Sequence, residues 1–184
     1  MRKLTGTANI ILLGAICLVI SFDYARKNYE QKFSTRIFES EFKRFTTLSE
    51  GTNNIVHLPL ADSRNNPGSL MSPDALFSMM SFDLSEKPVG LYLPLPLSPW
   101  TITIYEEHCN AFYSLDERTF EADYLQAVLY REGQSAPQND GAVNIKSPGM
   151  QGIIITRLIL PGIQEQPGLA ELRKEMRSGL MGSN

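Results

Sequence analysis

The chain has few of the residues that form covalent cross-links or carry out common catalytic chemistry. Among its 184 residues are two cysteines, two histidines and one tryptophan. Cys17 lies in an apolar N-terminal segment and Cys109 lies in the body of the chain, so we expect no internal disulfide, and the fold must be held together by packing. We interpret Cys109 as a small buried apolar side chain rather than as a reactive thiol.

Several sequence motifs that would identify an enzyme or a nucleic-acid binder are also missing. No G-x-S-x-G, phosphate-binding glycine loop or H-E-x-x-H occurs. The formal net charge is −3, and without the two positive charges of Arg2 and Lys3 it becomes −5. An acidic body argues against nucleic acid as a partner and against strong electrostatic binding to anionic lipid.

Charge is absent from one long segment near the N-terminus. The nineteen residues from Leu4 to Phe22 contain no charged side chain, and Arg2 and Lys3 precede them. At about 1.5 Å per residue a helix of this length spans roughly 28 Å, which is close to the hydrocarbon thickness of a bilayer. The sequence therefore predicts a transmembrane anchor at residues 4–22 with the lipid bilayer as partner, in an N-terminal segment of residues 1–23.

Two alternatives compete with the anchor. A cleaved signal peptide would need a pair of small residues where the apolar run ends, and Val19 to Ala25 contains no such pair. A buried core helix would need a polar face, which residues 10–20 lack. The positive charges closest to the segment are Arg2 and Lys3, so we expect a bacterial inner-membrane protein with its N-terminus in the cytoplasm and its C-terminal domain in the periplasm.

Residues 24–50 have the spacing of an amphipathic connector helix. Neither glycine nor proline occurs from Asp23 to Glu50. Apolar side chains recur every three to five residues, namely Tyr29, Phe33, Ile37, Phe38, Phe42, Phe45 and Leu48. We favour a helix that packs on the body. The alternative is a helix that lies on the membrane surface or pairs with a partner, although its mixed charges give it no basic face.

Residues 51–184 carry the pattern of a β-rich domain. Turn residues cluster at 50–54 and 62–68, and Val89, Leu91 and Leu93 alternate with other residues. Trp100 to Tyr105 follows a period of two, which places Trp100, Ile102 and Ile104 on the core side, and Ile153 to Leu160 suits a strand buried on both faces. A short apolar run at 75–84 is followed by a turn, weaker strands are predicted at 111–114, 127–130 and 143–145, and a helix is predicted from Leu169 to Arg177. This pattern predicts a mainly β fold, an antiparallel β-sandwich or jelly-roll-like body with a short C-terminal helix.

One cluster of side chains could bind a metal ion. Glu106, Glu107, His108 and Cys109 follow the Trp100–Tyr105 strand. If the strand continued, Glu106 and His108 would project from the same face and could supply two ligands to a divalent ion. A third ligand would have to come from elsewhere, for example from Asp83 or Asp116. The alternative interpretation of these residues is a solvated strand end that enters a turn.

Residues 72–118 resemble a known family. The stretches that carry the resemblance are S-P-D-A-L-F-S at 72–78, F-D-L-S at 82–85, P-V at 88–89, N-A-F-Y at 110–113 and L-D-E-R at 115–118. They are similar to the N-P-D-T-L-Y-S, F/L-D-L-S…G-P-V and N-F-x-x-x-N-D-R segments of the bacterial domain of unknown function 1254 family. The chain departs from that pattern at Ser72, Ala75 and Asp116. The resemblance, here to a short membrane-anchored member, implies a β-rich fold and an envelope location but no established reaction.

The resembling segment also contains three candidate ligand-binding residues, Asp74, Asp83 and Arg118. Asp74 follows Pro73 and is a natural turn or cap residue. Arg118 could pair with Asp83 or Asp74 and thereby fix two loops to each other. No cofactor is expected. The sequence therefore favours a single-pass inner-membrane protein that binds an unknown envelope protein or small ligand, and the alternative is a metal-dependent envelope hydrolase.

Overall fold

The computed structural model describes residues 4–61, 72–135, 141–160 and 167–181, with side chains from residue 21 onward and Pro167 excepted. These residues form two helices and nine strands, which are α1 Leu4–Leu48, β1 Val56–His57, β2 Ala75–Asp83, β3 Val89–Pro94, β4 Trp100–Glu106, β5 Ala111–Asp116, β6 Tyr124–Arg131, β7 Val143–Ser147, β8 Gln151–Ile159, α2 Pro167–Glu175 and β9 Arg177–Leu180. Most of the side chains of the predicted anchor, and the turn predicted at 62–68, lie outside the described residues. Within the described part of the chain, no helix combines the length and the apolar character that crossing a membrane requires.

Helix α1 runs without a break through the predicted anchor and the predicted connector. It is 45 residues long and ends just before Gly51, where a left-handed backbone at Glu50 stops the helix. Near its C-terminal end, Phe38 and Phe45 are buried against Phe77 of β2 and Ile153 of β8. The prediction that this helix packs on the body is therefore confirmed.

The first sheet is antiparallel throughout and has the strand order β1-β2-β8-β4-β5. Its central strand β8 pairs with β2 along nine residues and with β4 on the other side. Ile153 on one face of β8 packs towards α1, whereas Ile154 and Leu158 on the other face belong to the main core. The prediction of a strand buried on both faces is confirmed.

The second sheet has the order β7-β6-β3-β9 and is mixed. Strand β3 is antiparallel to both of its neighbours, but β6 and β7 run parallel. The prediction of a purely antiparallel body is therefore wrong at this edge. Residues 132–142 separate the two strands, a connection long enough to return the chain to the same end of the sheet, whereas a tight hairpin would have made the pair antiparallel.

The two sheets share one apolar core. Its buried side chains come from both sheets and from α2, and they include Leu76, Met80, Ile102, Ile154 and Leu158 from the first sheet, Leu91, Leu93, Leu125 and Leu129 from the second, and Leu169 and Met176 from the C-terminal segment. On β4, Trp100, Ile102 and Ile104 are buried and the residues between them are partly exposed, as predicted.

The C-terminal helix is confirmed, but it is shorter than predicted at its C-terminal end. Helix α2 ends at Glu175, and Arg177 begins strand β9 by pairing with Tyr92 of β3. The predicted end at Arg177 is therefore wrong, because the backbone of Arg177 forms a β-ladder with the second sheet.

Candidate functional site

A polar cleft opens at one end of the two sheets, between the loop after α1, the turn after β2, and strand β9. We call it the acidic cleft. It has a volume of about 500 Å³ and is lined by Thr52, Asn53, Asn54, Asp83, Ser85, Glu86, Gly179 and Leu180. Two of these residues carry carboxylates, and none of the described lining residues carries a positive charge. The cleft is therefore suited to a ligand that donates hydrogen bonds or carries a positive charge.

Asn53 connects the three elements that form the cleft. Its backbone N–H donates to the carbonyl of Ser81 (2.7 Å), and its side chain exchanges two hydrogen bonds with the backbone of Asp83 (2.9 and 3.1 Å). Its own carbonyl accepts a hydrogen bond from the Ser178 hydroxyl of β9 (2.7 Å). The residue has a left-handed backbone with φ of 63°, a conformation that asparagine tolerates better than most residues. The cleft is therefore preformed by hydrogen bonds.

The Asp83 carboxylate is held by two donors. Oδ1 accepts from the Ser85 backbone N–H (2.8 Å), and Oδ2 accepts from the Gln151 side chain of β8 (2.7 Å). Partial burial alone would raise the pKa of this carboxyl, but the hydrogen bonds from Gln151 and Ser85 together outweigh burial and lower the pKa below its ordinary value. Asp83 is therefore ionised at neutral pH and fixed in orientation.

The predicted pairing of Arg118 with Asp83 or Asp74 is not formed. Asp74 and Asp83 lie at opposite ends of β2, about 30 Å apart at roughly 3.3 Å per residue, so the three predicted residues cannot form one site. Asp74 accepts a hydrogen bond from Ser72 and lies near Arg157 of β8 (3.7 Å between Oδ1 and Nη2). Arg118 is exposed in the turn after β5, and its guanidinium Nε lies 3.8 Å from the Glu117 carboxylate.

The predicted metal pair is not presented on one strand face. Strand β4 ends at Glu106, and the chain turns back, with a left-handed backbone at Cys109. Glu106 accepts a hydrogen bond from the Asn110 side chain (2.7 Å), and His108 Nδ1 lies 3.1 Å from the Thr35 hydroxyl of α1. The structure agrees with the alternative interpretation, in which these residues form a strand end that enters a turn.

Within the described residues, no third ligand joins Glu106 and His108. Asp116, one candidate for the third ligand, accepts hydrogen bonds from the Thr119 side chain and from nearby backbone N–H groups in its own turn. In the described ranges, no group of three or more His, Cys, Asp or Glu side chains is placed to hold a metal ion. Cys109 is at the surface, so the prediction that it is buried is wrong; partial burial and then the charges of Glu106 and Glu41 raise the pKa of its thiol.

A second polar network, which the sequence pattern did not reveal, attaches α2 to the first sheet. Arg173 is buried, and its Nη2 donates to the carbonyls of Leu58 (2.6 Å) and Phe77 (3.0 Å). Next to it, His57 Nδ1 lies 2.8 Å from the Ser78 hydroxyl. Burial, and to a smaller extent the charge of Arg173, lowers the pKa of His57. These contacts hold the C-terminal helix on the β-body.

The fold and the cleft define a two-sheet β-domain that carries a long helix on one outer face and a short C-terminal helix. The chain belongs to the DUF1254 family, described as proteins of unknown function, whose family model matches residues 52–179. The resemblance predicted from residues 72–118 is therefore confirmed at the level of the domain family. The matched region begins and ends at the acidic cleft, at Thr52 and Gly179.

The solved structures that are similar to this chain include those of two proteins. The crystal structure of the VPA0106 protein from Vibrio parahaemolyticus has a TM-score of 0.61 and 11% sequence identity, and the similarity covers 83% of this chain and 36% of that one. An uncharacterised protein from Burkholderia cenocepacia has a TM-score of 0.46 and 12% identity, over 74% of this chain and 36% of that one. The chain thus spans about a third of the length of each protein. No curated protein matches it.

Proposed function

We propose that this protein is a single-pass inner-membrane protein that displays its β-domain in the periplasm and acts by binding a polar, positively charged ligand in the acidic cleft. Membership of the DUF1254 family supports the domain assignment, and the uncharged run after Arg2 and Lys3 supports a membrane-anchored member of that family. The ligand is either a small amine or the basic side chain of an envelope protein.

The course of helix α1 supports the membrane anchor. The helix continues from Leu4 into the segment that packs on the β-body. Phe22 and Tyr24 are highly exposed at the end of the uncharged run, where aromatic side chains are typical of the boundary between bilayer and water. Contact with the body is present thirteen residues after Phe22, where the Thr35 hydroxyl lies 3.1 Å from His108 Nδ1. About 20 Å of helix would therefore separate the domain from such a boundary.

The preformed acidic cleft is the observation that carries the binding role. Binding sites are usually concave, largely formed before the ligand arrives and supplied with a few fixed polar groups. Here the hydrogen bonds of Asn53 fix the three elements, and Asp83 supplies an ionised carboxylate at a defined position. Glu86 adds a second carboxylate. A ligand amine in such a cleft would gain charge-assisted hydrogen bonds without the cost of ordering the site.

The anchor is tested by cell fractionation and by a topology reporter. We expect the full-length protein to remain in the membrane fraction after carbonate extraction, and an alkaline phosphatase fused after Asn184 to be active. Ile16→Arg places a charge within the apolar run and should release the protein, because a charge at the centre of a membrane helix costs about 2.5–3.5 kcal/mol. Ile37→Arg, at an exposed position further along the same helix, is the matched control and should stay in the membrane.

Release of the unaltered protein by carbonate, or a mature N-terminus near residue 25, would contradict the anchor. An inactive phosphatase together with an active cytoplasmic reporter at the same position would reverse the proposed orientation.

The binding role is tested by calorimetric titration of the full-length protein with spermidine, with glucose as the uncharged comparison. We expect spermidine to bind and Asp83→Asn to weaken binding by about tenfold, which corresponds to one charge-assisted hydrogen bond. Asp123→Asn, which removes a carboxylate that does not line the cleft, should bind like the unaltered protein. Equal affinities of the two variants would contradict a role for the cleft.

A further inference from the structure

We propose a second binding site, on the outer face of the second sheet, that takes an anionic saccharide such as a uronate-containing oligosaccharide. We call it the tyrosine groove. It is a shallow groove of about 270 Å³, and its outer-face lining includes Gly90, Tyr92, Gln126, Arg177, Gly179 and Met181. Its chemistry differs from that of the acidic cleft, and the inference does not depend on the function proposed for that cleft.

Strand alternation places the groove outside the core. On β3, Leu91 and Leu93 are buried in the core between the sheets, so Tyr92 between them projects from the opposite face. Strand pairing determines the neighbours of Tyr92, which pairs with Gln126 of β6 on one side and with Arg177 of β9 on the other. An aromatic ring is thus flanked by an amide and a guanidinium on a single sheet surface.

Tyr124 extends this aromatic surface. The ring centroids of Tyr92 and Tyr124 are 5.5 Å apart, with an angle of 32° between their planes. Both residues are exposed, at 38% and 49%. Two adjacent exposed rings form a platform on which the apolar C–H face of a sugar ring can pack, while the hydroxyls at the rim of the sugar remain available to polar side chains.

The polar side chains beside the platform carry hydrogen-bonding groups that suit a sugar. An amide such as that of Gln126 both donates and accepts hydrogen bonds, which suits neighbouring hydroxyl groups. Arg177 uses Nη1 to donate to the carbonyls of Lys174 and Met176 at the C-terminal end of α2. A guanidinium has five N–H donors, so these contacts hold its plane while further donors can reach a ligand.

The charge of the groove selects an anionic ligand. Arg177 is the charged residue among the described residues that line the groove, and the lining includes no carboxylate. A cationic ligand would be repelled by this guanidinium, whereas the carboxylate of a uronate can pair with it through two parallel hydrogen bonds. Gly90 leaves room for the Met181 side chain in the lining of the groove, because a Cβ at position 90 would lie 2.6 Å from the Met181 sulfur.

The experiment is a calorimetric titration of the full-length protein with a trimer of galacturonic acid, and in parallel with maltotriose as the neutral saccharide. We expect the galacturonate trimer to bind more tightly than maltotriose. Tyr92→Ala should weaken galacturonate binding by about tenfold, and Tyr92→Phe, which keeps the ring, should restore it. Arg177→Gln should abolish the preference for galacturonate. Tyr29→Ala removes an exposed tyrosine of α1 and is the matched control, expected to bind normally.

Absence of galacturonate binding by the unaltered protein would overturn the proposal. So would unchanged binding by a folded Tyr92→Ala variant, with folding checked by circular dichroism. Equal affinities for the two saccharides would overturn the assignment of an anionic ligand. If spermidine binds normally but galacturonate does not, the groove proposal fails while the proposal for the acidic cleft stands.

Discussion

Asn53 and Asp83 are joined by a reciprocal pair of hydrogen bonds. The Asp83 N–H donates to Asn53 Oδ1 (2.9 Å), and Asn53 Nδ2 donates to the Asp83 carbonyl (3.1 Å). This pair fixes the end of β2 to the loop after α1. The position of the main carboxylate of the acidic cleft therefore depends on a residue thirty positions earlier in the chain.

The first prediction concerns Asn53. Asn53→Ala removes both hydrogen bonds and leaves the partly buried N–H and carbonyl of Asp83 without these partners, so we expect a loss of about 1–3 kcal/mol in the free energy of unfolding, measured in urea. Asn53→Gly loses the same bonds but accepts the left-handed backbone, so it should be about 1 kcal/mol more stable than Asn53→Ala. Asn144→Ala, at an exposed position of β7 away from the cleft, is the control. If all three variants were as stable as the unaltered protein, Asn53 would not hold the cleft together.

The second prediction tests the facing of β4. Trp100 and Ile102 are buried in the shared core, whereas Thr101 between them is partly exposed. Trp100→Ala should cost about 3–5 kcal/mol and Ile102→Ala about 2–5 kcal/mol, because each leaves a cavity. Thr101→Ala should be mild. Thermal unfolding is the measurement, and a larger loss for Thr101→Ala than for Ile102→Ala would contradict the core assignment.

The third prediction concerns the close packing around Gly152 in the first sheet. A Cβ at Gly152 of β8 would lie 2.3 Å from both the Phe82 ring and the Tyr105 carbonyl. Gly152→Ala should therefore destabilise the protein by about 1–3 kcal/mol or more through overpacking. Gly168 in α2 has open space around it, so Gly168→Ala should be neutral or slightly stabilising. Similar unfolding free energies for the two variants would contradict this packing.

The fourth prediction is a dependence of stability on pH that originates at His57. Burial and then Arg173 lower the pKa of His57 in the folded protein from its ordinary value of 6.5. The unfolded chain therefore takes up a proton at a higher pH than the folded protein. Above about pH 6.5 His57 does not reduce the free energy of unfolding, and below that pH it reduces this free energy progressively until the pH reaches the folded pKa. His57→Gln should reduce this loss between about pH 7.5 and 5.5.

Asp83 does not interfere with that measurement. Its pKa is lowered from 3.8, so its stabilising contribution is present above that pH and is lost only as the pH falls below about 3.8. If His57→Gln showed the same pH dependence as the unaltered protein above pH 5, the loss would have to originate at another group.

The strands that the sequence predicted well have strong local patterns. The alternation from Trp100 to Tyr105 and the β-branched run at Ile153–Leu160 gave β4 and β8 nearly to the residue, because burial on a fixed face follows directly from such patterns. Strands β1 and β9 were missed. They are two and four residues long, and they are strands because of the neighbours with which they pair.

The candidate site was only partly predictable for the same reason. Asp83 was recognised from a family segment. The contribution of Asn53 could not be predicted, because it depends on hydrogen bonds to a residue thirty positions away and on a left-handed backbone. A sequence rich in turn residues does not show which residue adopts that backbone. Arg173 has the appearance of a solvent-facing residue on a charged helix. Its burial arises from the docking of α2 against Leu58 and Phe77, which no local pattern encodes.

Binding of a cationic ligand in the acidic cleft can be observed residue by residue, by amide NMR of the full-length protein titrated with spermidine. We expect the largest chemical-shift changes at the backbone amides of Asn53, Asp83, Ser85 and Glu86, which line the cleft, and we expect these changes to disappear in Asp83→Asn. Changes confined to residues outside the cleft, or the same changes in Asp83→Asn, would contradict binding in the cleft.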